Sequence, residues 1–217
     1  GLKKNEHRGG VGGDGKTSDG TGILIDLDQD FFSEKYAEVS GTSLEDGQRL
    51  GVGVVFLPSD NEDAKNQYMR LIEAELGNAG FEGAVWRERP VDESVLGPDA
   101  IANRPEMKEI LIPQSAGQDA QAFERALFFA RKKIEHAVSE SPGKGADAFY
   151  IPTMSSKSIG YKGLSIAQDL PTLYPDLQDE RVKTTSVMFH RRFSTNTEPA
   201  WARSHPYRVL AHNGEIN

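Results

Sequence analysis

The sequence predicts an α+β fold built around sheets. Three observations lead there: roughly eight short apolar segments read as strands, two segments carry a clear helical period, and the helices fall between pairs of strands. Residues 9–22, GGVGGDGKTSDGTG, form a Gly/Asp loop. It feeds a strand over 23–27, where Ile23, Ile25 and Leu27 alternate as in a half-buried strand. The run GVGVVFLP (51–58) is almost continuously apolar and β-branched, as in a strand buried on both faces. Ser59 and Glu62 then have the spacing of a capping box, Ala64, Tyr68, Leu71, Ile72 and Leu76 follow at helical spacing, and Gly77 is the expected stop.

A short strand is expected around 83–91, a Gly/Pro-punctuated loop follows, and EILIPQ (109–114) reads as another strand. The clearest helix covers 119–139, with Phe123, Leu127, Ala130, Ile134 and Val138 on one stripe. SPGKGAD (141–147) breaks it. Strands are expected over 148–154 and 158–163, a turn-rich connection over 170–179, and two last strands over 184–193 and 206–213. No strong linker or internal repeat is evident, so the chain reads as one domain or part of one.

Composition limits the function classes. The 217 residues carry 33 acidic and 25 basic side chains, a net charge of −8, which argues against a nucleic-acid-binding surface. No apolar run approaches the roughly 20 residues of a membrane span, so no membrane partner is expected. There is no cysteine, which removes disulfides, thiolate metal sites and a cysteine nucleophile from this stretch. A reducing compartment is the plain reading. The chain begins at Gly1 and stops inside an Asn-Gly turn, and both ends suggest an internal fragment.

Residues 10–17, GVGGDGKT, satisfy the phosphate-loop pattern, but the loop leads into a strand and not into a helix whose N-terminus would carry a phosphate. A turn-rich loop is favoured. His7 and Arg8 read as a helix end. His136 reads as a surface or boundary residue, and the histidines at 136, 190, 205 and 212 lack zinc-ligand spacing, so no metal site is expected.

HRRFSTNT (190–197) and AHNGEIN (211–217) carry more chemistry. An arginine followed by hydroxyl residues can clamp a carboxylate. An Asn-Gly turn can aim a side-chain amide and a backbone N–H at one developing oxyanion, although alone it is most often a plain turn. Placed at adjacent strand ends, the two motifs would hold an amino acid whose side-chain carbonyl is attacked.

At these residues the sequence resembles the class II glutamine amidotransferase domain of the glutamate synthase large subunit. EHRGG…DGKTSDGTGILI, VLGPDAIANRPEMKEILI and YKGL…LPTLYPDLQDERVKTTSVMFHRRFSTNT follow that family's pattern in order, so the resemblance covers essentially the whole of residues 1–217. It implies an N-terminal-nucleophile fold, an α/β/β/α sandwich of antiparallel sheets, here incomplete. It also implies glutamine hydrolysis by an amino-terminal cysteine whose α-amine is the base. Ammonia would pass to a synthase domain that aminates 2-oxoglutarate. Carried over by position, Arg192 binds the substrate α-carboxylate and Thr195 assists it, while Asn213 and Gly214 form the oxyanion hole. Arg191 is expected to be structural, and Asn196 to position backbone.

The same resemblance places the nucleophile upstream of Gly1 and the acidic residue for the substrate amine beyond Asn217, so the 217 residues alone are expected to be inactive. FMN and an iron–sulfur cluster belong to the parent protein and not to this stretch. L-glutamine, the synthase domains and an electron donor are the implied partners, with the donor's identity open. The implied location is cytoplasmic, or plastid in a eukaryote. The competing reading is a non-catalytic domain of the same fold that binds glutamine or another amino acid for regulation.

Overall fold

A computed structural model describes residues 10–140, 142, 143, 145–191 and 199–208. In chain order it contains β1 (Thr17–Asp26), α1 (Gln29–Ser40), β2 (Leu50–Leu57), α2 (Glu62–Asn78), β3 (Val85–Glu88), α3 (Pro98–Ala102) and β4 (Glu106–Pro113). Then come α4 (Ala120–Glu140), β5 (Tyr150–Ser155), β6 (Ser158–Ser165), α5 (Leu170–Leu173) and β7 (Val187–His190), with 3-10 turns at Glu93–Val95 and Pro175–Gln178. The strands form two sheets, of order β6-β1-β7 and β3-β4-β2-β5. β1 runs antiparallel to β7, β2 to both β4 and β5, and β3 to β4. The expected α+β class is therefore realised with antiparallel pairing.

The chain divides into two compact units. One comprises 27–89 and 105–159 and holds the four-stranded sheet. Its central strand β2 is buried at every position, as its unbroken apolar run demands. α2 and α4 pack together and present Tyr68, Ile72, Leu76, Phe123, Leu127 and Ile134 to sheet residues that include Val55, Leu57, Ile110 and Ile112. In the same unit Glu109, fully buried, faces two arginines: Arg87 Nη1 lies 2.5 Å from its Oε2, and Arg89 Nε lies 3.5 Å from its Oε1. α1 contributes Phe32 beneath the Arg87 guanidinium and a hydrogen bond from the Tyr36 hydroxyl to the Gly83 carbonyl.

The other unit comprises the chain up to Asp26, residues 90–104 and residues from Gly160 onward. β1 is the middle strand of its three-stranded sheet. The β1–β7 register pairs Gly22 with His190 and Ile25 with Val187. At the far end of β1 the Asp26 carboxylate accepts from the backbone N–H and the hydroxyl of both Thr185 and Ser186. Those bonds fix the turn from which β7 departs.

Several expected boundaries shift. α2 is capped by Asn61, whose side chain accepts from Ala64 N at 2.9 Å, and not by Ser59. It continues through Gly77 to Asn78, because a glycine inside the last turn is tolerated when no left-handed residue is needed there. α1 has no counterpart among the expected helices, although Asp28 caps it and Gly41 (φ 73°) closes it. β1 starts at Thr17, so residues 17–22 of the expected loop are strand. Pro206–Arg208 is not strand, and the rest of the expected last strand lies outside the described residues.

Candidate functional site

The four residues expected to carry the chemistry, Arg192, Thr195, Asn213 and Gly214, lie outside the described residues, as do Asn196, His7 and Arg8. What the structure does describe is the frame on either side of them. β7 delivers His190 and the half-buried Arg191 directly to the 192–198 segment, and residues 199–208 connect that segment to the final motif.

Residues 199–208 are held on the three-stranded sheet by specific contacts. Trp201 is buried, and its indole N–H donates to the Ala100 carbonyl at 3.1 Å. Its ring lies against Gly163 of β6, where any Cβ would overlap it. The His205 carbonyl lies against Gly22 of β1 in the same manner. Glycine at these two strand positions is thus a matter of close approach, since an alanine there would push the connecting segment off the sheet. A short turn, with Arg203 N and Ser204 N both donating to the Ala200 carbonyl at 3.1 Å, shapes the segment between these contacts.

Lys162 of β6 is the other anchor. Its side chain is buried, with Nζ donating to the Ala202 carbonyl at 2.8 Å and the Ser204 carbonyl at 2.7 Å. The Tyr207 ring centroid lies 5.3 Å from the same nitrogen. The Tyr174 hydroxyl donates to the Lys162 carbonyl at 2.7 Å and fixes the strand from the other side. Desolvation, reinforced by the Arg208 charge, pushes the Lys162 pKa down to about 7.

Three rings complete the frame. His205 lies 4.5 Å from His190 and 4.4 Å from Tyr207, centroid to centroid. These tilted ring contacts join His190 at the end of β7 to residues 205 and 207. Thr21 on β1 adds a hydrogen bond from its hydroxyl to the His190 carbonyl at 3.4 Å.

Among the described residues no group of three or more His, Cys, Asp or Glu side chains could hold a metal ion. No described helix is long and apolar enough to cross a membrane. Thr17, the last residue of the phosphate-loop pattern, opens β1 and not a helix, and Asp14 accepts from the Lys16 and Thr17 backbone N–H groups, closing the loop on itself. His136 is a surface residue on α4, 4.0 Å from Glu140. Lys162, His205 and Tyr207 had no role in the sequence reading. Their only signal was a lysine set in the middle of the strand SIGYKGLS, where Lys is rarely buried.

The family described as glutamine amidotransferases class-II matches residues 1–217. Among relatives, the glutamate synthase (NADPH) large chain of Azospirillum brasilense is 41% identical over 216 residues, covering 100% of this chain and 14% of that protein. The glutamate synthase (NADPH) large chain of Bacillus subtilis (strain 168) is 39% identical over 218 residues, with the same coverage of both, 100% and 14%. A chloroplastic ferredoxin-dependent glutamate synthase 2 of Arabidopsis thaliana is 36% identical over 212 residues, covering 98% of this chain and 13% of that protein. The chain thus spans a small part of the length of these relatives. With the family matched from end to end, the chain belongs to the class II glutamine amidotransferases and is similar within them to glutamate synthase large chains.

Proposed function

We propose that the chain forms the glutamine-binding part of the glutaminase site of a glutamate synthase. The observation that carries this reading is full-length likeness to glutamate synthase large chains, in a sequence that holds both HRRFSTNT and LAHNGEIN. In this reading Arg192 clamps the α-carboxylate of L-glutamine and Thr195 adds a hydroxyl hydrogen bond. A cysteine thiolate attacks the side-chain amide carbon, and the carbonyl oxygen becomes an oxyanion held by the Asn213 amide and the Gly214 N–H. Ammonia leaves and a glutamyl thioester remains. Water then cleaves the thioester, giving glutamate and restoring the thiol. The ammonia goes on to aminate 2-oxoglutarate elsewhere in the longer protein.

The 217 residues contain no cysteine, so the nucleophile comes from outside them and the stretch alone is inactive. An iron–sulfur cluster also needs thiolate ligands, which these residues do not supply. That cluster and the FMN belong to other parts of the parent, and no step of glutamine hydrolysis passes through either. The electron donor is likewise a partner of the parent. Cytoplasmic or plastid placement agrees with bacterial and chloroplastic relatives.

The test is ammonia release from glutamine by the full-length protein, beside its Arg192→Ala and Asn213→Ala variants. Asn213→Ala is expected to lower kcat by about 100- to 1000-fold, the usual effect of removing one oxyanion donor. Arg192→Ala is expected to raise KM for glutamine. A folded full-length protein that binds glutamine saturably, loses binding with Arg192→Ala and releases no ammonia is instead the regulatory binding module.

A further inference from the structure

We infer that Lys162 is a positioning residue for glutamine hydrolysis: its amino group holds the Ala202–Ser204 backbone, which connects the carboxylate-clamp motif to the oxyanion motif. The inference rests on the glutaminase reading above. It goes beyond it by assigning a role to a side chain that touches no substrate.

Three features support it. The two Lys162 acceptors are main-chain carbonyls, of Ala202 and Ser204, so the side chain fixes the path of the backbone itself. Those carbonyls lie on the only covalent connection between HRRFSTNT and LAHNGEIN, and that connection is seated where Gly22 and Gly163 leave room for it. Tyr207, beneath the Lys162 amino group, packs at a tilt against His205, and His205 packs likewise against His190 at the end of β7. The lysine and the ring contacts therefore tie residues 202–207 to β6 and to the end of β7. An apolar side chain would fill the same space at lower desolvation cost, so a buried amino group that serves two backbone carbonyls has a role beyond filling volume.

Such a residue acts on the transition state more than on the ground state. A displacement of about 1 Å in a catalytic group costs on the order of 100-fold in rate, while a substrate still held by its carboxylate keeps most of its affinity.

The experiment uses the full-length protein with Lys162→Met, Lys162→Arg and Tyr207→Leu, each assayed for glutamine hydrolysis and normalised to folded protein by circular dichroism. Lys162→Met is expected to lower kcat by about 10- to 100-fold, with KM within about threefold of the parent. Lys162→Arg, which keeps several N–H donors, is expected to recover part of that loss. Tyr207→Leu, at a half-buried position, is expected to lower kcat by about threefold or more. An unchanged kcat in folded Lys162→Met overturns the proposal, as does a raised KM at unchanged kcat. Should Lys162→Met fail to fold, Tyr207→Leu decides: a lowered kcat supports the proposal and an unchanged one overturns it. A parent that hydrolyses no glutamine overturns the glutaminase reading first, and an active parent with fully active variants overturns the positioning role alone.

Discussion

Two ionisable side chains tie residue-scale chemistry to the fold. Lys162 has an ordinary pKa of 10.5 and is pushed down to about 7 by burial and by the Arg208 charge. Between those values the unfolded chain binds more protons than the folded one, so stability rises with pH across that window. Hydrogen exchange of a peptide covering 199–208, corrected for intrinsic rate, is expected to show protection increasing from pH 7 towards about 10, and the increase is expected to vanish in Lys162→Met. Asp26 acts in the same direction in the acid range, but there the fold favours the charged form. Hydrogen bonds from the Thr185 hydroxyl, then the Ser186 hydroxyl and the backbone N–H groups of both, hold its pKa well below the ordinary 3.8. Its contribution is complete above about pH 4 and is lost as pH falls toward the lowered value. Protection of the β1–β7 pairing should therefore decline in acid, and Asp26→Asn should remove that part of the decline. Arg192, Thr195, Asn213 and Gly214 were legible as motifs. Lys162 was not, because strand alternation says which face a residue is on and nothing about what covers that face.

At the scale of elements, legibility followed the strength of local signals. α4 was found to within a residue because five apolar positions repeat over its length, and β2 because its run is unbroken. α1 went unread: its buried residues are Phe31, Phe32 and Tyr36, aromatics of modest helix propensity on a short stripe that tertiary contact must supplement. For α2 the cap was misplaced by two residues, since Ser59 and Asn61 are both good caps and only the chain's entry direction chooses between them. Asn61→Ala is expected to cost about 1 kcal/mol, whereas Ser59→Ala, at an exposed site outside the helix, is expected to be near neutral. Leu127→Ala, in the fully buried stripe of α4, is expected to cost about 2–5 kcal/mol. Shifts in denaturation midpoint check all three.

For the whole molecule, the chain crosses between its two units several times: 90–104 belongs with the β1 sheet, although its neighbours in sequence on both sides belong with the β2 sheet. A domain boundary drawn from composition could not find this, because no linker marks the crossings. The absence of cysteine gives a prediction at this scale. The 217 residues expressed alone should release no ammonia from glutamine, and release should appear only in the longer protein that supplies a thiol. A rate assay on both preparations checks it.

By itself the sequence determined the α+β class, the register of the strongest helix and strand, the exclusion of thiolate chemistry and, through its two motifs, the family. These are properties of local period and residue type, which survive without knowledge of neighbours. Tertiary structure alone decided that Gly22 and Gly163 are seats, that the His190, His205 and Tyr207 rings meet, and that Lys162 is buried against Ala202 and Ser204. Each of those depends on segments far apart in the chain meeting on one sheet, and contacts at such separation leave no periodic trace in a single sequence.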